Sequence, residues 1–169
     1  MVALCYMGKR SSTLNRLEGF TLIELLVVIS IIGVLASILI VSLTDARSKG
    51  RDAKRVAEMQ QMLRAIDLVG TDNFTGFSGC TTAGYNPVST CTSPALSQFN
   101  DPSGVATPCD DSPVAACDYT VSDRAGTGAP LFNNWQIKAY LDVGNGGLTA
   151  GEVCLSNATT TPFQGASCH

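Results

Sequence analysis

Gly19-Phe20-Thr21-Leu22-Ile23-Glu24-Leu25-Leu26-Val27-Val28-Ile29 opens an apolar run that reaches Leu43. Over the 24 residues from Phe20 to Leu43, the only interruptions besides Glu24 are Thr21, Ser30, Gly33, Ser37 and Ser42, all small or hydroxyl-bearing. At about 1.5 Å per residue such a run is long enough to cross a bilayer as a helix. One carboxylate then lies inside the membrane segment. Insertion of an acidic side chain costs about 2.5–3.5 kcal/mol at the centre and less near the end, so Glu24 asks for a partner. Cutting the chain after Gly19 supplies one, because the amide nitrogen of Phe20 becomes an α-amine with a reference pKa of about 7.7–8.0. The amine and the carboxylate are then complementary charges at i and i+4. They can meet within one chain, or between neighbouring chains staggered along a bundle of such helices.

This order reverses that of a secretory signal peptide, in which a shorter apolar region precedes the cleavage site and is lost with it. Here the apolar run follows the cut and is kept. The residues ahead of it are polar and basic, with Lys9, Arg10 and Arg16 against Glu18. By the positive-inside rule they hold the amino end in the cytoplasm, and the rest of the chain emerges outside.

The stretch from Gly19 to Ile29 closely resembles the prepilin signature of type IV pilins and type II secretion pseudopilins. The resemblance covers about fifty residues and is most specific over its first dozen. It implies cleavage between Gly19 and Phe20 by a membrane-bound prepilin peptidase, N-methylation of Phe20, and a role in assembly for Glu24. It also implies a fold, α+β and pilin-like, in which a long, partly transmembrane N-terminal helix packs on a small antiparallel β-sheet head. The expected function is that of a structural subunit of a type IV pilus filament. The alternatives are a type II secretion pseudopilin or minor pilin and, in another class, a membrane-anchored surface-binding protein that never polymerises. The implied partners are identical or related subunits, the peptidase, the assembly platform and, before assembly, the cytoplasmic membrane. The filament or pseudopilus itself is extracellular.

Beyond the motif the chain divides by texture. Residues 1–19 read as the leader that is removed, 20–44 as the membrane and assembly half of the helix, and 45–70 as its amphipathic second half. Good helix formers dominate residues 45–68, and no proline occurs before Pro87. Val56, Met59, Leu63 and Ile66 recur at helical spacing and predict the stripe that meets a sheet. Gly70 is the expected end of the helix, while Gly33 and Gly50 are its interior weak points. The charge is segregated: residues 45–70 carry a net +2, whereas residues 71–169 carry a net −6 within a chain of net −3. A basic stalk and an acidic head suit lateral packing of subunits.

Residues 71–169 form the expected head. Residues 71–113 are dominated by Gly, Ser, Thr, Asn, Asp and Pro and read as a long connecting loop. A loop of that length calls for staples. Cys80, Cys91, Cys109, Cys117, Cys154 and Cys168, in an exported segment without C-x-x-C spacing, favour disulfides over zinc. Six cysteines allow fifteen pairings, and the spacing selects none. The family resemblance implies one of them, Cys154 with Cys168, as the C-terminal loop of pilins.

A three-stranded sheet is expected over residues 115–156. Cys117 to Val121 gives one strand, and Trp135 to Val143 gives a second, alternating with Trp135, Ile137, Ala139, Leu141 and Val143 on one face. After the turn Gly144-Asn145-Gly146-Gly147, Glu152 to Ser156 returns as a third. Trp135 is the expected core anchor. Asp142 and Asn145, with backbone oxygens of that glycine-rich turn, are weak calcium candidates by resemblance to some pseudopilins, although their spacing is not that of a calcium loop. No cofactor and no specific nucleic-acid contact are expected. The sole histidine, His169, is the last residue, so no Ser/His/Asp or Cys/His constellation can be assembled and catalysis is not expected.

Overall fold

A computed structural model describes residues 19–70, 76–112, 116–165 and 168. The expected leader, apart from Gly19, lies outside the described residues. The structure divides into two compact units, one ending at Ile40 and the other beginning at Val41, and one helix, α1 (Leu22–Gly70, 49 residues), contributes to both.

In the first unit, α1 is long and apolar enough to cross a membrane. Its large side chains, from Leu22 through Ile40, are all exposed. The two serines of this stretch do not leave their hydroxyls unpaired. Ser30 Oγ donates to the Val27 carbonyl and Ser37 Oγ to the Val34 carbonyl, both at 2.7 Å. Such back-bonding removes the penalty of a bare hydroxyl in hydrocarbon.

In the second unit, the helix packs on an antiparallel meander of order β1-β2-β3-β4, built from β1 (Asn86–Pro87), β2 (Thr120–Ser122), β3 (Gln136–Leu141) and β4 (Gly151–Ser156). The architecture is therefore α+β. β3 and β4 form the long pair, in register from Gln136 opposite Ser156 to Leu141 opposite Gly151. Ile137, Ala139 and Leu141 fall on one face by the period of two, and they join Trp135, Val153 and Leu155 in the buried core with Met59, Met62 and Ile66 of α1. Burying each of the larger side chains contributes about 1.5–3 kcal/mol.

Three differences from the sequence reading have clear causes. First, β1 is a fourth strand inside the stretch read as a loop; it is two residues long and carries Pro87, so it has no alternation to detect. Its edge position is where proline is tolerated in a sheet. Second, the opposite face of β3 is also covered, with Gln136 and Lys138 fully buried. The covering comes from the loop stretch: Asp111 accepts from Lys138 Nζ at 2.6 Å, and the Tyr85 ring lies 4.6 Å from that nitrogen. Phe77, Val88, Leu96 and Phe99 from the same stretch enter the core. Third, the fully buried stripe of the helix is Asp52, Arg55, Met59, Met62 and Ile66, with Val56 and Leu63 only flanking it. The stripe is turned toward residues that include two charges, for a reason given below.

Candidate functional site

The amino end of α1 is closed by its own side chains. Thr21 Oγ1 accepts from the Glu24 amide at 3.3 Å, and Glu24 Oε2 accepts from the Thr21 amide at 3.1 Å and the Thr21 hydroxyl at 2.9 Å. This reciprocal Thr-x-x-Glu arrangement is a capping box, in which two amides left over by the first turn are both satisfied. Position 24 also sets a negative charge against the positive end of the helix dipole. Phe20 is 89% exposed, and with Glu24, Leu25 and Val28 it lines a shallow groove. Among the described residues, nothing lies within 4 Å of a Cβ built on Gly19. The expected cleavage bond thus adjoins the cap, and the nitrogen it would free belongs to the residue before Thr21. Among the described residues of this unit, nothing covers the apolar surface that follows.

Among the described residues, six cysteines pair as Cys80–Cys91, Cys109–Cys117 and Cys154–Cys168, each a local closure. The first two lie in or against the long connecting stretch, and the third ties the end of the chain to β4. Cys154 also exchanges two backbone hydrogen bonds with Phe163, at 2.9 and 2.8 Å, so the tail is held beside the sheet.

The second unit contains an ion cluster that the sequence reading missed. The Arg55 guanidinium is fully buried and reaches Asp101 through Nε at 2.6 Å and Nη2 at 2.9 Å, and Asp52 through Nη1 at 2.7 Å. A further contact runs from Nη1 to Asp142 at 3.2 Å. Asp52 Oδ1 also accepts from the Asp142 amide, and Oδ2 from the Val143 and Gly144 amides, all at 2.8 Å. These bonds, with that of Arg55, hold the Asp52 carboxyl below its usual range against an opposing push from burial. Asp101 is lowered likewise by Arg55 and Ser103, and burial opposes it too. Such a set gains little net stability over a packed apolar alternative, but losing one member strands the others in a poor solvent. Its effect is to fix the β3–β4 loop and the Asp101 loop on one turn of the helix. The signal in the sequence is Asp52 and Arg55, three residues apart and in phase with Met59, Met62 and Ile66.

The calcium candidates sit at this cluster. Asp142 is bound by Arg51 through Nε at 2.9 Å and Nη2 at 2.7 Å, besides its contact with Arg55. Asn145 offers its carbonyl to the Leu148 amide at 3.0 Å. Among the described residues no group of three or more His, Cys, Asp or Glu side chains is placed to hold a metal ion.

Comparison with known proteins places the amino-terminal region. Residues 14–40 match the family model described as the prokaryotic N-terminal methylation motif. The chain is 39% identical over 59 residues to the type II secretion system core protein G of Escherichia coli, covering 35% of this chain and 41% of that protein. It is 41% identical over 56 residues to the type IV wide pilus major component PilA4 of Thermus thermophilus, covering 33% and 43%. The amino-terminal region is that of the type IV pilins and pseudopilins. A third member, fimbrial protein Q of Moraxella bovis, is 43% identical over 54 residues, covering 32% of this chain and 34% of that protein. The chain therefore spans only about two fifths of the length of the relatives it matches. No solved structure matches it. The arrangement of apolar helix and antiparallel sheet is pilin-like, and the family is structural rather than enzymatic.

Proposed function

We propose that this chain is a structural subunit of a type IV pilus filament, cut between Gly19 and Phe20, methylated on the new Phe20 amine and polymerised through α1. In this reading, residues 1–19 are the leader, 20–44 the assembly half of the helix, 45–70 its second half and 71–169 the head. Before assembly the subunit is a single-pass protein of the cytoplasmic membrane with its amino end inside. Afterwards it is extracellular. Its partners are related subunits, the prepilin peptidase and the assembly platform.

The observation that carries this reading is the uncovered apolar helix with a single carboxylate at its start. Lipid can cover the apolar side chains, yet it cannot neutralise Glu24, whose oxygen is bonded, among the described residues, to Thr21 of its own chain. A neighbour's Phe20 amine supplies the missing charge, so the assembled state is favoured over the dispersed one. Glu24→Ala tests it: subunits that are still cut at Phe20 but yield no filaments are expected, and filaments at normal yield would refute the proposal. Mass spectrometry of the mature amino terminus checks the cut, with a chain beginning at methylated Phe20 as the expected product.

A second reading, a pseudopilin of a type II secretion system, is favoured by the likeness to protein G of Escherichia coli. Deletion separates the two. Loss of surface filaments with secretion intact supports the pilus subunit, whereas loss of secretion without loss of surface filaments supports the pseudopilin.

A further inference from the structure

The β3–β4 loop is the place where the family resemblance raised a metal, and its residues can be tested for fit. A calcium site needs six to eight oxygens turned inward. This loop presents the opposite polarity. The amides of Asp142, Val143 and Gly144 converge on Asp52, which makes the turn a cradle for an anion. Both oxygens of Asp142 are already taken, Oδ2 by Arg51 and Oδ1 by Arg55. The Asn145 carbonyl closes the turn onto Leu148. Gly144 has a φ of 98°, and a Cβ there would lie 2.3 Å from the Leu148 carbonyl oxygen, so the two sides of the loop are closely packed. The residues do not fit the metal.

We infer that the protein's own charges close this loop, with Asp52 beneath it and Arg55 and Arg51 beside it, and that the head neither takes calcium there nor needs it to fold. Arg55 is the resident cation. It lies where carboxylates from the helix, the Asp101 loop and the β3–β4 loop meet, and its planar fork engages all three at once. An ammonium on a lysine stem is a single point charge and cannot span the same set.

Thermal unfolding of the oxidised full-length chain in detergent, with millimolar calcium or with excess EDTA, tests the inference. The midpoint of the unmodified chain is expected to be the same in both. A midpoint raised by calcium or lowered by EDTA overturns the inference. Arg55→Lys adds the second arm, with an expected fall of about 10 °C or more and no recovery in calcium. A variant that fails to fold at all agrees with that arm. One that melts with the unmodified chain removes Arg55 from the role. The calcium and EDTA comparison needs no variant and decides the matter even when Arg55→Lys cannot be purified.

Discussion

Asp52→Asn is the sharpest test of how the head is held. The aspartate accepts four hydrogen bonds, two at each oxygen: the Asp142 amide and Arg55 Nη1 at Oδ1, and the Val143 and Gly144 amides at Oδ2. An asparagine must place an NH₂ where one of those oxygens was. In either orientation two donors then face a donor, so two bonds are lost together. Leaving a buried donor unpaired costs about 1–3 kcal/mol. The full loss is about 2–6 kcal/mol, and removing one member of a buried charge set falls in the same range at about 3–5 kcal/mol. Val143 is partly exposed, so its amide can turn to water, which places the expectation at about 3–4 kcal/mol. At about 2–4 °C per kcal/mol for a chain of this size, the midpoint drops by roughly 10 °C. The assay is thermal or urea unfolding of the oxidised protein followed by Trp135 fluorescence, since Trp135 is the sole tryptophan and is buried in the core. A loss below about 1 kcal/mol refutes the reasoning, because the carboxylate would then be replaceable by a neutral amide.

Other outcomes follow from the same geometry. Asp52 and Asp101 are held below their ordinary values, so their contribution is complete above about pH 4, the unfolded-state value, and is lost as pH falls through the lowered folded values; acid titration of unfolding should show this slope, and Asp52→Asn should flatten it. Tyr119→Phe removes the bond from a buried hydroxyl to Glu58 Oε2 at 2.7 Å and should cost about 1–3 kcal/mol in urea unfolding, with no change in filament yield. Replacing Cys154 and Cys168 together by Ser opens a closure with a sequence separation of 14 and should destabilise the head by about 3 kcal/mol. Gly79→Ala should impair folding of the connecting stretch, because Gly79 has a φ of 85° and a Cβ there would lie 2.1 Å from the Thr90 carbonyl oxygen; unchanged yield of oxidised protein would count against this.

Much of the fold was legible because it rests on local or periodic signals. The apolar run from Phe20, the charge at Glu24 and the alternation from Trp135 each lie within one element, so the helix and the β3–β4 pair could be read off directly. The Thr21–Glu24 cap is also local, three residues apart, and its Thr-x-x-Glu spacing was a signal left unused. The apolar periodicity alone places the stripe on Val56, Met59, Leu63 and Ile66, whereas the buried face also includes the charged Asp52 and Arg55. Charge predicts a solvated face only where no opposite charge arrives from elsewhere in the chain. Here Asp101 arrives from 46 residues away and the amides of the β3–β4 loop from about 90.

The sequence by itself determined a long apolar helix and an α+β head with cysteine staples, since each follows from composition or spacing within a short window, and its resemblance to prepilins marked Gly19, Phe20 and Glu24 as the proposed cleavage and assembly residues. Tertiary structure alone decided which cysteines meet, that the connecting stretch covers the second face of the sheet and adds a strand to its edge, and that Asp142 is paired with two arginines. Those outcomes depend on long-range pairing. A carboxylate carries no mark of which counter-charge will reach it; the pairing with Arg51 and Arg55 exists only once the closed loop brings Asp142 to the helix.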